Sequence, residues 1–297
     1  MATEDIDPRY ADLDLWSNSE ALRALYESQV EGLARVSSAL PAIATAVEQA
    51  VPRLRAGGRL IYAGAGTSAR IAVQDGAELA PTFNWPRQRV AFAIAGDEAA
   101  LLQAMEGAED QTASAQARMS QLGVDANDVV IGLAASGETA YTIAALESAR
   151  AGGALTIGVA NTPNASLLKA CDHPILIDTG AEAIAGSTRL KAGTTQKVVL
   201  NLISTLIMVR LNRVYRGLMV DMRPTNAKLR RRAARMVMSI SGASQETAEQ
   251  ALATAGDDVK LAALLVRGLD RAAAQSLLDK HDGNLRSALD ETAPASR

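Results

Sequence analysis

The chain has 297 residues, 48% of them hydrophobic but only 3% aromatic, and a formal net charge of −3. Such a length holds one large α/β domain and a smaller helical one, with a core built from alanine and leucine. The acidic balance argues against nucleic acid as the main partner, since phosphate backbones select basic surfaces.

The single cysteine, Cys171, rules out an internal disulfide and gives no sign of an oxidising compartment. The acidic start Thr3-Glu4-Asp5 lacks the basic-then-apolar order of a signal peptide, so a soluble cytoplasmic protein is expected.

From residue 19 to 54, Leu22, Leu25, Tyr26, Val30, Leu33, Val36 and Leu40 recur at helical steps until Pro41 interrupts them. Two helices joined near Pro41 fit this pattern. Gly57-Gly58 then breaks it, and five short apolar runs follow, over 59–63, 89–95, 128–134, 155–160 and 174–178. Runs of this kind belong to strands covered on both faces. Helical stretches separate most of them, which predicts a parallel sheet with crossover helices. The apolar stretch 198–211 is interrupted by Asn201, Ser204, Thr205 and Arg210, and reads as a buried helix rather than a membrane span.

Beyond Asn226 no strand pattern remains. Helices are expected over 245–255, 259–267 and 270–280, with Ser244 and Asp270 as caps and a turn at His281-Asp282-Gly283-Asn284. The run Arg230-Arg231-Arg232 reads as a solvated helical face. The divisions expected are a helical segment over 1–54, a sheet domain over 55–218 and a small helical domain over 219–297.

Two loops carry the chemistry. The first strand runs into Gly64-Ala65-Gly66-Thr67-Ser68-Ala69, where glycines let backbone N–H groups approach an anion at a helix start. A dinucleotide fold could use the same glycines. It would need an acidic residue about 20 positions on, whereas the next strand ends near Asp97, 33 residues after Gly64. A second loop, Ala135-Ser136-Gly137-Glu138-Thr139, repeats the small and hydroxylated pattern. Two such loops on neighbouring parallel strands suit a monophosphate held from both sides. The segment from Gly186 to Thr194 places Ser187 and Thr188 at a third helix start, where Arg189 and Lys191 could add charge or stand as ordinary solvated cations.

These stretches resemble the N-acetylmuramic acid 6-phosphate etherases, which carry a sugar isomerase (SIS) domain. The resemblance spans nearly the whole chain. Its most specific part is Gly180-Ala181-Glu182, then Gly186-Ser187-Thr188-Arg189-Leu190-Lys191 and on to Lys197, a string these etherases share with the glucokinase regulatory protein. Glu106-Gly107-Ala108-Glu109-Asp110 and Leu218-Met219-Val220-Asp221 match as well.

The resemblance implies an SIS-type α/β parallel-sheet sandwich flanked by helices, a homodimer, and no metal or organic cofactor. It also implies cleavage of the D-lactyl ether of N-acetylmuramic acid 6-phosphate to N-acetylglucosamine 6-phosphate and D-lactate. Phosphate and substrate would be held by Gly66, Thr67, Ser68, Ser136, Gly137, Thr139, Ser187, Thr188 and Lys191. Two glutamates would do the acid/base work: Glu78, the proton donor of the stretch Asp75-Gly76-Ala77-Glu78, and Glu109. The chain departs from the family at Ala69 (usually Gly), at Glu138-Thr139-Ala140 (usually Arg-Thr-Pro), and at Leu79-Ala80 (usually Cys-Pro).

Both glutamates make chemical sense as a pair, provided one is held neutral and the other charged. Glu78 stands three residues before Pro81, near an expected helix end whose carbonyls disfavour negative charge. Glu109, on a helix with Leu102 and Met105 inward, would lie within roughly 40° of both and face inward too. Glu138 would weaken phosphate binding if it pointed inward. Cys171, His173 and His281 show neither triad nor metal spacing. A non-catalytic sugar-phosphate regulator and an aldose–ketose isomerase on the same fold remain alternatives. A DNA-binding regulator does not, because the N-terminal helices carry too few basic residues.

Overall fold

The computed structural model describes residues 3–103 and 105–292. By its internal contacts the chain falls into two units, one of residues up to Ala77 with Arg87–Thr205, and one of Glu78–Pro86 with residues from Leu206 onward.

The first unit opens with α1 (Asn18–Arg35) and α2 (Leu40–Arg55), joined by a 3-10 turn over Val36–Ala39. Ser17 and Glu20 form a capping box at the start of α1, each side chain accepting the other's backbone N–H. Pro41 falls in the first turn of α2, where no N–H is needed, so it begins a helix rather than breaking one. Whereas α2 buries Ile43, Val47, Ala50 and Leu54, α1 leaves Leu22, Tyr26, Val30 and Leu33 each at least 45% exposed.

Five parallel strands follow in the spatial order β2-β1-β3-β4-β5: β1 (Leu60–Gly64), β2 (Val90–Ile94), β3 (Val129–Ala134), β4 (Leu155–Ala160) and β5 (His173–Leu176). Between and after them run α3 (Gly66–Phe83), α4 (Thr112–Leu122), α5 (Ala140–Ala151), the single turn α6 (Ser166–Lys169) and α7 (Lys191–Arg210). Every residue of β1, β3 and β4 is buried, but the edge strands β2 and β5 only in part. That is why the inner strands read as unbroken apolar runs.

The starts of β1 and β3 are tied by Asp128, whose carboxylate accepts the Arg59 N–H at 2.9 Å and pairs with its guanidinium at 2.5 Å. Burial opposes that charge, but the Arg59 bonds win and hold the Asp128 carboxyl below the usual range. By length and composition α7 could cross a membrane. Instead Val199, Leu200 and Ile203 lie in the core, and its buried polar groups bond to neighbouring elements of the unit.

The second unit holds α8 (Ala227–Ser241), α9 (Gln245–Ala255), α10 (Val259–Val266), α11 (Arg271–Lys280) and α12 (Leu285–Glu291). Ser244 and Asp270 cap α9 and α11 as the sequence predicts. Neither α8 nor α12 is foreseen. The former buries Ala233, Met236, Val237 and Ile240 while Arg230, Arg231 and Arg232 stay exposed, so the basic run does mark a solvated helical face. Asp221 fixes the chain ahead of α8, pairing with Arg213 at 3.1 Å and Lys260 at 2.6 Å.

Candidate functional site

From β1 the chain goes out to β2 on one side and returns to β3 on the other, so the crevice beyond the carboxyl ends of β1 and β3 is the topological switch point. Both hydroxylated loops leave from there, with Gly64 in register beside Leu133. Gly66 opens α3 and Thr139 stands at the amino end of α5 without capping it. Among the described residues no acceptor takes the N–H groups of Gly66, Thr67 or Ser68. These open helix ends can therefore receive an anion. The half-buried hydroxyls of Thr67, Thr139, Ser187 and Thr188 likewise have no protein partner among the described residues.

Ser68 behaves differently. Its buried hydroxyl donates to Gln196 Oε1 at 2.8 Å, Gln196 Nε2 donates to Asn161 Oδ1 at 3.1 Å, and Asn161 Nδ2 donates to Thr195 Oγ1 at 2.9 Å. This chain ties the β1 loop, the end of β4 and the first turns of α7 together, and it spends the Ser68 proton inside the protein. Gln196 and Asn161 escape sequence reasoning because a lone amide at the end of an apolar strand or helix carries no spacing signal.

The second loop is laced to the segment after β4. Ala135 O accepts the Asn161 N–H at 2.9 Å, and Gly137 O accepts the Leu167 N–H at 2.9 Å. Gly137 adopts φ +70°, and a Cβ there would lie 2.3 Å from that of Ala165, so only glycine fits. Glu138 turns to Ser166, accepting its N–H at 2.9 Å and its hydroxyl at 2.7 Å. Those bonds lower the Glu138 pKa, and its charge is spent on a loop clasp. Ser136 Oγ accepts the Glu138 N–H at 3.2 Å, which leaves the Ser136 proton to donate elsewhere.

At the third loop the expectation needs correcting. The buried Glu182 carboxylate accepts the N–H groups of Lys191 at 3.1 Å and Ala192 at 2.9 Å, so the amino end of α7 already holds an anion from the protein itself. Burial raises the Glu182 pKa against those bonds. Lys191 is not a solvated cation: it is only 1% exposed, and a Cβ at Gly32 of α1 would meet its stem at 2.9 Å. Arg189 is exposed.

The glutamates sit in unlike surroundings. Glu78 is exposed on α3, and the helix continues through Pro81 to Phe83, so Glu78 is five residues short of its end rather than at it. One turn earlier Asp75 is buried. Its carboxylate accepts Tyr62 Oη at 2.9 Å, Asn201 Nδ2 at 2.7 Å and Ser204 Oγ at 3.1 Å. Burial pushes its pKa up in spite of these bonds. Among the described residues the helix expected to carry Glu109 inward does not form. Two 3-10 turns, Glu98–Leu101 and Ala108–Asp110, stand there instead, Gly107 at φ +69° precedes the second, and Glu109 is exposed. Leu102, 92% exposed, and Met105, 48%, form no inner stripe.

A cavity of about 810 Å³ lies against β2, lined by residues that include Val73, Phe92, Asp97, Leu102 and Arg118, none of them from the hydroxylated loops. Among the described residues no group of three or more His, Cys, Asp or Glu side chains is placed to hold a metal ion. Burial pushes the Cys171 thiol up to about 11, a structural rather than a reactive thiol.

Residues 42–150 match the family described as the glucokinase regulatory protein N-terminal SIS domain. Over 290 residues the chain is 47% identical to the N-acetylmuramic acid 6-phosphate etherase of Deinococcus radiodurans, covering 97% of this chain and 95% of that one. It is 44% identical to the etherase of the same name from Streptomyces avermitilis (97% and 93% covered) and 46% to that of Cronobacter sakazakii (97% and 98%). Among solved structures, a protein from Bacteroides fragilis described as a phosphosugar isomerase involved in capsule formation superposes with a TM-score of 0.51 at 19% identity, covering 68% of this chain and 95% of that one. The last likeness speaks for the fold alone.

Proposed function

Since the chain belongs to the N-acetylmuramic acid 6-phosphate etherase family, we propose that it is a carbon–oxygen lyase cleaving the D-lactyl ether of that sugar phosphate. The observation that carries the reading is the pair of open, hydroxylated helix ends on either side of the β1/β3 switch point. They suit a phosphate on the sugar's sixth carbon, gripped by the N–H groups of Gly66, Thr67 and Ser68 and by the hydroxyls of Thr67, Ser136 and Thr139. Gly137 shapes the second loop, and Ser187 and Thr188 add hydroxyls from the segment ahead of α7.

Ring opening exposes an aldehyde at C1 that acidifies the C2 proton. Glu109, as base, takes that proton, and the C2 electrons form the C2=C3 double bond as the C3–O bond breaks. Glu78, as acid, protonates the departing lactate oxygen. Water then adds at C3 and a proton returns to C2, giving N-acetylglucosamine 6-phosphate. No redox step is involved. We assign this chemistry to the segment 55–218 and place it in the cytoplasm, where a sugar phosphate is held. We propose a homodimer as well, because Leu22, Tyr26, Val30 and Leu33 form an exposed apolar stripe along α1; sedimentation tests it, a monomer mass counting against it.

Incubating the protein with N-acetylmuramic acid 6-phosphate and assaying D-lactate tests the activity. Sugar-phosphate binding without lactate would favour a regulator; ketose formation would favour an isomerase.

A further inference from the structure

We infer that Arg213 is a positioning residue, whose guanidinium clamps the last turn of α3 and so fixes the stretch Glu78–Phe83 that bears the proton donor. The inference rests on the reading of Glu78 as that donor. Arg213 and the stretch 78–86 belong to the same unit. That stretch needs a hold from outside the helix. Pro81 has no N–H, which takes one backbone bond from it, and a helix end leaves its last carbonyls unmet. Asn84, left-handed at φ 51°, turns the chain and donates its N–H to Ala80 O at 2.9 Å, while the Trp85 N–H donates to Leu79 O at 3.3 Å. Phe83 O and Asn84 O lie beyond the reach of these bonds. Arg213 Nη1 donates to both, at 2.7 and 3.1 Å.

The guanidinium is itself held on two further sides. It lies 5.1 Å from the centre of the Trp85 ring, and Asp221 Oδ2 stands 3.1 Å from Nη1. Asp221 closes the stretch Leu218–Asp221 between buried Val220 and Met222. It pairs also with Lys260 at 2.6 Å, whose ammonium donates to Gly283 O at 2.9 Å. The arrangement is not the most stable one available. Burial lowers the Arg213 pKa against the pull of Asp221, and the buried Nε has no acceptor among the described residues. An apolar side chain would avoid both costs, but it would leave the two carbonyls unmet and the rotation of the helix end unfixed. Glu78 precedes Phe83 by five residues, about 7.5 Å along the axis and about 1.4 turns, so a slip at Phe83 is passed back to it. Misplacing an acid by about 1 Å can cost on the order of a hundredfold in rate.

The test reads D-lactate release from N-acetylmuramic acid 6-phosphate per folded protein, with binding of N-acetylglucosamine 6-phosphate as the control. Arg213→Met keeps an apolar stem against Trp85 but removes the donor, and should lower kcat about thirtyfold with KM within about twofold. Arg213→Lys returns a single nitrogen with three N–H groups and should recover kcat to within about threefold of the parent. Asp221→Asn loosens the guanidinium and should lower kcat about threefold, which decides the matter if Arg213→Met does not fold. In a Glu78→Gln background neither Arg213→Met nor Asp221→Asn should lower the residual rate further, because no acid is left to misplace. Unchanged kcat in folded Arg213→Met overturns the inference, as does unchanged kcat in Asp221→Asn where Arg213→Met does not fold. Equal losses with and without Glu78 overturn it too, since they mark a structural role only. A slowed Glu78→Gln beside an undiminished Arg213→Met overturns the inference alone, whereas a fully active Glu78→Gln overturns it together with the assignment of Glu78.

Discussion

The loops at the switch point and the segment 96–110 are built on opposite plans. At the loops, buried amides and backbone bonds join three elements, and the unpartnered N–H groups and hydroxyls are those of the helix ends that open on the crevice. Among the described residues of 96–110 there are two 3-10 turns, a strained Asp97 at φ 57° and two exposed apolar side chains, Leu102 and Met105. The proposed phosphate loops are thus tied across several elements, while Glu109 sits exposed on a 3-10 turn. On the proposed roles, the loops would hold the substrate through both steps while an exposed base at Glu109 meets a C2 proton that becomes acidic only after ring opening.

The sharpest way to break this contrast is to remove the carboxyls themselves. Glu78→Gln and Glu109→Gln should each cut lactate release about a thousandfold, roughly 4 kcal/mol, with product binding within about twofold by calorimetry; near-normal turnover in either ends its role. Next in size, Asp128→Asn should lose about 3 kcal/mol in urea unfolding by leaving Arg59 without its partner. The folded pKa of Asp128 is depressed, so its contribution is present above the ordinary carboxylate value and lost as the pH falls through the folded one. Below about pH 4 the parent should therefore lose stability faster than the variant. Gln196→Leu strands Ser68 and Asn161 and should raise KM about tenfold, about 1.4 kcal/mol, with a smaller change in kcat. Glu138→Ala should raise KM only two- to threefold at neutral pH, about 0.5 kcal/mol, because it frees a clasp rather than a ligand. Leu102→Ser, from the loose segment, should leave the unfolding midpoint unchanged to within about 0.5 kcal/mol; a larger loss would show that segment to be packed.

Much of this was legible in the residues. Strands covered on both faces announce themselves as apolar runs, and glycine with Ser or Thr marks a turn into a helix, so the sheet and the two open helix ends could be read directly. Glu109 could not be placed: Leu102 and Met105 share a helical spacing with it, yet Gly107 takes a left-handed φ and ends any such helix. Nor could the partners of Glu138, Ser68 and Asp75, which lie 28, 128 and 126 residues away in the chain. Spacing arguments see neighbours on one element, and these bonds join different ones. The same blindness hid α8, where an arginine run masks the apolar stripe beneath it.

The Glu182 carboxylate at the amino end of α7 gives that helix a resident counter-ion. Its dipole is neutralised from within, so only α3 and α5 lend positive potential to the crevice. If the crevice holds the sugar phosphate as proposed, α7 therefore offers it no free helix end. On that reading, selectivity for sugar over bare phosphate would fall to the hydroxyls of Thr67, Ser136 and Thr139.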